Sequence, residues 1–131
     1  FAGVSVREVM RTNIISVDAK ATIRSFAESI AEGREAGIYP VLEEERVIGT
    51  ISVAVLGKCA TDTWDATRVG DVANRDIPRI AAEADVSEAL RMLALENSQR
   101  ILFVIADDGK IEGVVTGSDI LRALQPREGR T

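Results

Sequence analysis

The chain has 131 residues, 46% of them hydrophobic, and its 21 acidic and 16 basic residues give a net charge of −5. This length suits one compact domain or two small domains that share a core, because halves of about 60 residues bury too little apolar surface alone. The negative charge disfavours general attraction to nucleic acid, and no stretch approaches the roughly 20 apolar residues of a membrane span. The chain has no histidine, which removes the commonest general base and the commonest metal ligand.

The first half predicts a strand–helix–strand–strand–helix order from its hydrophobic spacing. Thr22 is the expected helix cap, and the side chains of Ile23, Phe26, Ala27 and Ile30 form the buried face of the helix. The predicted elements are a strand at 15–17, this helix, strands at 38–42 and 47–51 joined by a charged turn, and a helix near 53–60.

The second half predicts the same order. Its amphipathic helix shows apolar residues at Val86, Ala89, Leu90 and Leu93, spaced i, i+3, i+4 and i+7. The sequence Asp108-Gly109 is a strong hairpin signal between two apolar strands. The predicted elements are strands at 79–81, 101–106 and 111–115, with the helix between the first two and a final helix at 117–124.

The two halves are copies of one unit. A shift of 63 positions places Val6 on Val69, Ile23 on Val86 and Val41 on Val104, and after one extra residue Gly49 falls on Gly113. We therefore expect a first repeat at 1–60, a linker at 61–68, a second repeat at 69–125 and a polar tail at 126–131.

The linker carries the one tryptophan of the chain. An indole contributes a large apolar area, so packing of Trp64 against a neighbouring surface is the favoured interpretation. Binding of a partner protein is the alternative.

Several short motifs resemble those of the CBS domain family. The stretch Gly113–Leu121 resembles the closing signature, in which a glycine, two apolar residues and Thr or Ser precede an Asp by three positions. The opening segments Val6–Met10 and Val69–Val72, and the strand motif Tyr39-Pro40-Val41, resemble the same family. The resemblance covers nearly the whole chain in two copies.

This resemblance implies a Bateman module of the α+β class, in which two βαββα repeats pack through their sheets with pseudo-two-fold symmetry. Family members bind adenosine nucleotides or S-adenosylmethionine, form homodimers and regulate an attached enzyme, channel or transporter. The stretch Trp64–Val69 is similar to CBS pairs attached to site-2-type intramembrane metalloproteases. The expected location is cytoplasmic, including the cytosolic part of a membrane protein, and the lone Cys59 fits a reducing compartment.

Thr116 and Asp119 are the main candidate binding residues. An ionised Asp only accepts hydrogen bonds, so it can receive two from the vicinal hydroxyls of a ribose. Thr116 can bond a phosphate or ribose oxygen at the start of the helix. The alternative is that Thr-x-x-Asp is a capping box that satisfies its own helix. The first repeat has Val55 where Asp119 stands, so one cleft at most is equipped for a ribosyl ligand.

The resemblance implies further lining residues for this cleft. Arg100 would neutralise phosphate, and Met10 and Ile15 would cover an adenine face. The alternatives are a solvated strand edge for Arg100 and plain core positions for Met10 and Ile15. Gly37 offers no side chain to phosphate, so a mono- or diphosphate or an uncharged adenosyl ligand fits better than a triphosphate. The full predicted set is Thr116, Asp119, Arg100 and Val114 from the second repeat, and Met10, Ile15, Ala36 and Gly37 from the first.

The predicted function is a regulatory module that senses AMP, ADP, ATP or S-adenosylmethionine and controls an attached effector domain. We expect no catalytic residue, no metal and no required cofactor, because the acidic clusters occupy hairpin turns and no phosphate-binding glycine loop of the Walker type occurs. Expected partners are the adenosyl ligand, a second copy in a homodimer and the effector, without nucleic acid or membrane contact from this segment. A ligand-free dimerisation or interaction module of a larger protein is the alternative.

Overall fold

The computed structural model describes residues 3–32, 37–95 and 100–125. The first repeat contains α1 Val6–Val9, β1 Val17–Asp18, α2 Ile23–Ala31, β2 Ile38–Glu43, β3 Arg46–Ser52 and α3 Ala54–Lys58. A 3₁₀ turn follows at Thr61–Thr63. The second repeat contains α4 Val69–Val72, β4 Arg79–Ile80, α5 Val86–Leu95, β5 Ile101–Ile105, β6 Ile111–Thr116 and α6 Gly117–Leu124. The predicted element order is confirmed, and the opening segments prove to be one-turn helices.

Each repeat builds one three-stranded sheet of the same topology. The sheets have the orders β1-β2-β3 and β4-β5-β6, in which a parallel pair is followed by an antiparallel hairpin. Val41 pairs with Gly49 and Val104 with Gly113, and a register shift follows each of these pairs. The expected α+β fold with two βαββα repeats is confirmed.

The chain forms two compact units in which the one-turn helices change places. The second-repeat unit comprises residues 3–14, 78–95, 100–107 and 111–125, so it includes α1, whose Val6 amide donates to the Ala84 carbonyl at 2.8 Å. The first-repeat unit comprises residues 15–77 and 108–110 and includes α4, whose Val69 amide donates to the Ala21 carbonyl at 2.8 Å. The predicted boundaries at 60, 68 and 125 concern the sequence repeats and stay a prediction.

The core of the first-repeat unit is built around an aromatic pair. Phe26 of α2 meets Tyr39 of β2 edge to face, with ring centroids 5.9 Å apart and an interplanar angle of 79°. As predicted, Ile23 and Phe26 are buried. Trp64 packs against the same core, and its indole N–H donates to the Cys59 carbonyl at 3.0 Å. The favoured interpretation of Trp64 as a packing residue is therefore confirmed.

The core of the second-repeat unit has aliphatic residues at the two positions that the aromatic pair occupies in the first-repeat unit. By the 63-residue register Ala89 takes the place of Phe26, and Leu102 takes the place of Tyr39, and both are fully buried. The remaining buried members of this core are Val6, Val9, Ile80, Ala82, Val86, Val104, Val115 and Ile120. Two members, Val6 and Val9, come from α1, so the exchanged helix completes this core.

Across the described ranges, the helices are all too short or too polar to span a bilayer.

Candidate functional site

A capping box opens α6 in the second-repeat unit. The Asp119 amide donates to the Thr116 hydroxyl at 3.3 Å, and the Asp119 carboxylate accepts the Thr116 amide and hydroxyl, each at 2.9 Å. Thr116 has extended backbone angles, as an N-cap residue requires. The capping box, which was the alternative interpretation of Thr-x-x-Asp, is therefore present, and it fixes the Thr116 and Asp119 side chains at the end of β6.

Two arginines complete the surroundings of the Asp119 carboxylate. The Arg11 Nε atom lies 3.0 Å from Oδ1 and 3.1 Å from Oδ2, and the Arg122 guanidinium lies 3.2 Å from Oδ1. The Asp119 side chain is 2% exposed, whereas those of Arg11 and Arg122 are 49% and 68% exposed. A buried carboxylate thus accepts hydrogen bonds from donors that are themselves half in solvent.

The hydrogen bonds keep Asp119 ionised. Burial raises the pKa of the Asp119 carboxyl, but the bonds from the Thr116 amide and hydroxyl and the charge and hydrogen bond of Arg11 outweigh it, so the pKa lies below its usual value of 3.8. At neutral pH the group is therefore an anion that can only accept hydrogen bonds.

The backbone places Arg11 beside β6. The Arg11 amide donates to the Val114 carbonyl and the Val114 amide donates to the Arg11 carbonyl, both at 2.9 Å. Gly113 permits this approach, because a Cβ atom there would lie 2.8 Å from the Arg11 carbonyl oxygen and 2.7 Å from the Met10 sulfur. Arg11 was not among the predicted residues. The 63-residue register shows that the first-repeat counterpart of this arginine is the uncharged Asn74, and this difference was the signal that could have identified it.

The remaining predicted residues fall into three groups. Arg100 and Thr116 line one open cavity of about 740 Å³, whose walls include Leu90, Leu93 and Leu121. Met10 and Val114 lie beside Arg11, Met10 partly buried against the core and Val114 8% exposed.

The third group comprises the predicted residues Ile15, Ala36 and Gly37, which do not belong to the second-repeat unit. Ile15, 51% exposed, and Gly37 belong to the first-repeat unit. Ala36 lies outside the described residues. The membership of these residues in one cleft stays a prediction.

The equivalent place in the first-repeat unit has the same backbone but different side chains. Asn74 and Thr50 exchange two backbone hydrogen bonds at 2.8 Å, as Arg11 and Val114 do. The N-cap residue of α3 is Val53, which has helical backbone angles and forms no side-chain capping hydrogen bond. Val55 packs against the core at the place of Asp119. Both members of the ion pair are thus replaced together, by Asn74 and Val55.

Comparison with known proteins places these features in a family. The model of the CBS domain matches residues 6–54 and 69–126. A zinc metalloprotease from Methanocaldococcus jannaschii is 27% identical over 124 residues, which cover 95% of this chain and 33% of that protein. The chain therefore spans about a third of the length of this relative.

Solved structures show the same fold at low sequence identity. A CBS domain-containing protein of unknown function from Bacillus anthracis has a TM-score of 0.78 and 20% identity, covering 98% of this chain and 96% of that one. The CBS domain of a bacterial CNNM/CorC family Mg²⁺ transporter, solved in complex with ATP, has a TM-score of 0.76 and 18% identity over 92% of this chain and 86% of that one.

Proposed function

The chain belongs to the CBS domain family, and from this premise we propose that it is a regulatory module whose second-repeat unit binds an adenosyl ligand at Thr116 and Asp119. The observation that carries the proposal is the buried, ionised Asp119 at the start of α6, for which the other unit has Val55. A pair of CBS domains is a regulatory module, and we propose its ligand and its effector.

The proposed contact is between the Asp119 carboxylate and the two neighbouring hydroxyls of a ribose. The carboxylate only accepts, and each hydroxyl donates one bond, so donors and acceptors match. The low exposure of Asp119 strengthens such bonds, since little water competes for them. The free amides at the start of α6 favour an oxygen of the ligand that carries negative charge.

Binding requires an exchange of partners at Asp119. Its two oxygens already accept bonds from Thr116, Arg11 and Arg122. The bonds to Thr116 belong to the helix cap, whereas the two half-exposed arginines can turn into solvent without opening the core. We therefore propose that the ribose hydroxyls displace Arg11 and Arg122 and leave the Thr116 bonds in place.

The exchange favours an anionic ligand. Displacement separates two guanidinium groups from their carboxylate, and a phosphate is the group that an arginine binds best, through two parallel hydrogen bonds. AMP or ADP should therefore bind more tightly than adenosine, and S-adenosylmethionine, whose sulfonium is positive, should bind least. A CBS domain of a Mg²⁺ transporter has been solved with ATP, which supports a nucleotide as the ligand class.

The proposed effector is a domain attached in the full-length protein. The relative named a zinc metalloprotease matches over only 33% of its own length, so its remaining two thirds lie outside the similarity. We propose a membrane-associated metalloprotease as the effector, with a cytoplasmic homodimer of the CBS pair as its regulator. The open reading frame around this segment tests the effector: a His-Glu-x-x-His motif supports a protease and an unrelated domain contradicts it.

Isothermal titration calorimetry with AMP, ADP, ATP, adenosine and S-adenosylmethionine tests the ligand site. We expect AMP or ADP to bind. Asp119→Ala should weaken binding about 100-fold through loss of two charge-assisted bonds. Arg11→Gln should reduce the factor by which the affinity for AMP exceeds the affinity for adenosine. Glu8→Gln is the matched control, because Glu8 is the capping-box acid of α1 in the same unit.

Two results would contradict the proposal. Wild-type affinity in Asp119→Ala would place the ligand elsewhere on the chain. No heat and no thermal shift with any of the five ligands would favour the alternative function, a ligand-free interaction module, which the exposed side chains of Leu95 and Leu121 support.

A further inference from the structure

The first-repeat unit has an open cavity of about 400 Å³ surrounded by basic side chains. Lys20 lies between β1 and α2, Arg68 directly precedes α4, and Arg75 follows α4. We call these three residues and the space between them the basic groove. The groove lies in a different unit from Asp119 and shares no residue with the site described above.

Backbone carbonyls hold the two arginines of the groove in place. The Arg68 guanidinium donates to the Lys20 carbonyl at 2.7 Å. The Arg75 guanidinium donates to the Gly70 carbonyl at 3.2 Å and to the Ile48 carbonyl at 3.4 Å. A guanidinium has five N–H donors, so each arginine is positioned by one or two bonds and keeps donors for a ligand.

The three positive charges of the groove exceed the negative charges that line it and form no ion pairs in the described structure. Glu43 and Asp71 also line the groove, so its lining carries three positive and two negative formal charges. Asp71 accepts the Arg68 amide at 3.1 Å, a bond to the backbone. Among the described residues, no carboxylate forms an ion pair with Lys20, Arg68 or Arg75.

The equivalent surface of the second-repeat unit holds its charges in ion pairs. There Arg7 pairs with Glu83 at 2.9 Å and with Glu112 at 3.4 Å. The 63-residue register places Lys20 at the position of Glu83, and the positions of Arg68 and Arg75 are those of the uncharged Ser5 and Thr12. The same location in the fold is therefore an internal ion-pair cluster in one unit and a set of unpaired cations in the other.

We propose that the basic groove is a binding site for a phosphate-bearing anion. Two arginines and a lysine offer the planar and point-like donors that phosphate oxygens accept, and phosphate binds a guanidinium through two bonds at once. A chain of net charge −5 repels anions at long range, so local convergence of three cations is needed to overcome that repulsion. The volume admits more than one phosphate group, which makes a diphosphate or a phosphomonoester the fitting class.

Calorimetric titration of the whole chain with inorganic pyrophosphate tests the proposal. We expect saturable binding with one equivalent, weakened about tenfold by Arg68→Gln, Arg75→Gln or Lys20→Gln, since each removes one charge-assisted contact. Lys20→Gln guards against misfolding, because no hydrogen bond or ion pair of the Lys20 side chain is present in the described structure. Arg91→Gln is the matched control: it removes the same charge from an exposed position of α5 and should change the affinity less than twofold.

Further arms separate this site from the adenosyl site. Pyrophosphate binding that is unchanged in Arg11→Gln and weakened in Arg68→Gln supports the basic groove, and the reverse pattern overturns it without touching the proposed function. Absence of saturable binding, or an equal loss in Arg91→Gln, overturns it as well. A parallel titration with a phosphomonoester distinguishes a diphosphate from a single phosphate group as the preferred source.

Discussion

The two units share a backbone scaffold and differ in the side chains placed on it. In each, the second residue after the exchanged one-turn helix forms two backbone hydrogen bonds with the last strand of the sheet, Arg11 with Val114 and Asn74 with Thr50. Only the second-repeat unit adds an ion pair at this junction, between Arg11 and Asp119. The comparison shows that the junction depends on backbone bonds and close packing, so its side chains were free to diverge into a polar site or an apolar contact.

The charged surfaces diverge in the opposite sense. The second-repeat unit pairs Arg7 with Glu83 and Glu112, while the first-repeat unit leaves its basic groove without an ion pair in the described residues. Among the described residues, the second-repeat unit thus forms ion pairs at both locations, whereas the first-repeat unit has uncharged side chains at one and unpaired cations at the other. The proposed ligand sites follow this division, with an acid in one unit and bases in the other.

The largest expected effect concerns the aromatic core of the first-repeat unit. Phe26→Ala should lower the free energy of unfolding by about 3–5 kcal/mol, since Phe26 is 2% exposed and its removal leaves a cavity beside Tyr39. Urea denaturation measures the change. Ala89→Gly, at the equivalent position of α5, is the comparison and should cost only about 1 kcal/mol, the helix-propensity difference. Equal losses would mean that the two cores do not differ in the way described.

An intermediate effect is expected at Asp119. Asp119→Asn should lower the free energy of unfolding at pH 7 by about 2 kcal/mol, the range of a hydrogen bond to a charged group. The folded-state pKa is depressed, so the carboxylate stabilises fully above its ordinary value of 3.8, and this contribution is lost as the pH falls through the folded-state pKa. The difference between wild type and variant should therefore shrink below about pH 4 in urea titrations.

The Val55 position provides the counterpart of this prediction. Val55→Asp places a carboxyl against an apolar core with Asn74 in place of an arginine, so burial should raise its pKa. Ionisation of this new carboxyl should therefore lower the stability of the Val55→Asp variant as the pH rises, whereas ionisation of Asp119 adds stability to the wild type. A gain in stability on ionisation of the new carboxyl, as at Asp119, would show that the Arg11 ion pair is not what separates the two units.

The smallest effect is expected at the hairpin turns. Glu44 and Glu45 have φ values of 52° and 69°, a region that side chains with a Cβ atom rarely adopt, whereas the second hairpin places Gly109 at 88°. Replacing Glu44-Glu45 by Asn-Gly should stabilise the chain by about 1 kcal/mol. Thermal denaturation measures it, and Gly109→Ala should shift the melting temperature in the opposite direction. If the melting temperature changes in neither variant, backbone strain at the turns does not distinguish the two repeats.

Local patterns predicted most of the secondary structure and the main candidate residues. Helical spacing identified Ile23 and Phe26 as buried, and Thr-x-x-Asp identified a cap and a candidate site at the same place. The pattern could not distinguish these two roles, because a capping box and a ribose contact use the same acceptor oxygens. Arg11 escaped prediction because its partner is 108 residues away in the sequence, and no local period reports such a contact.

Residue identities compared in register are enough to establish that the chain contains two copies of one unit and that only the second has an acid, Asp119, at this position of its closing helix. Tertiary structure decided which side chains meet. The one-turn helices α1 and α4 change places between the repeats, so Arg11 reaches Asp119 and Arg68 reaches the Lys20 carbonyl. Such meetings depend on backbone hydrogen bonds between distant segments, which almost any residue type can form, so the sequence shows only the glycines, Gly49 and Gly113, that allow the close approach.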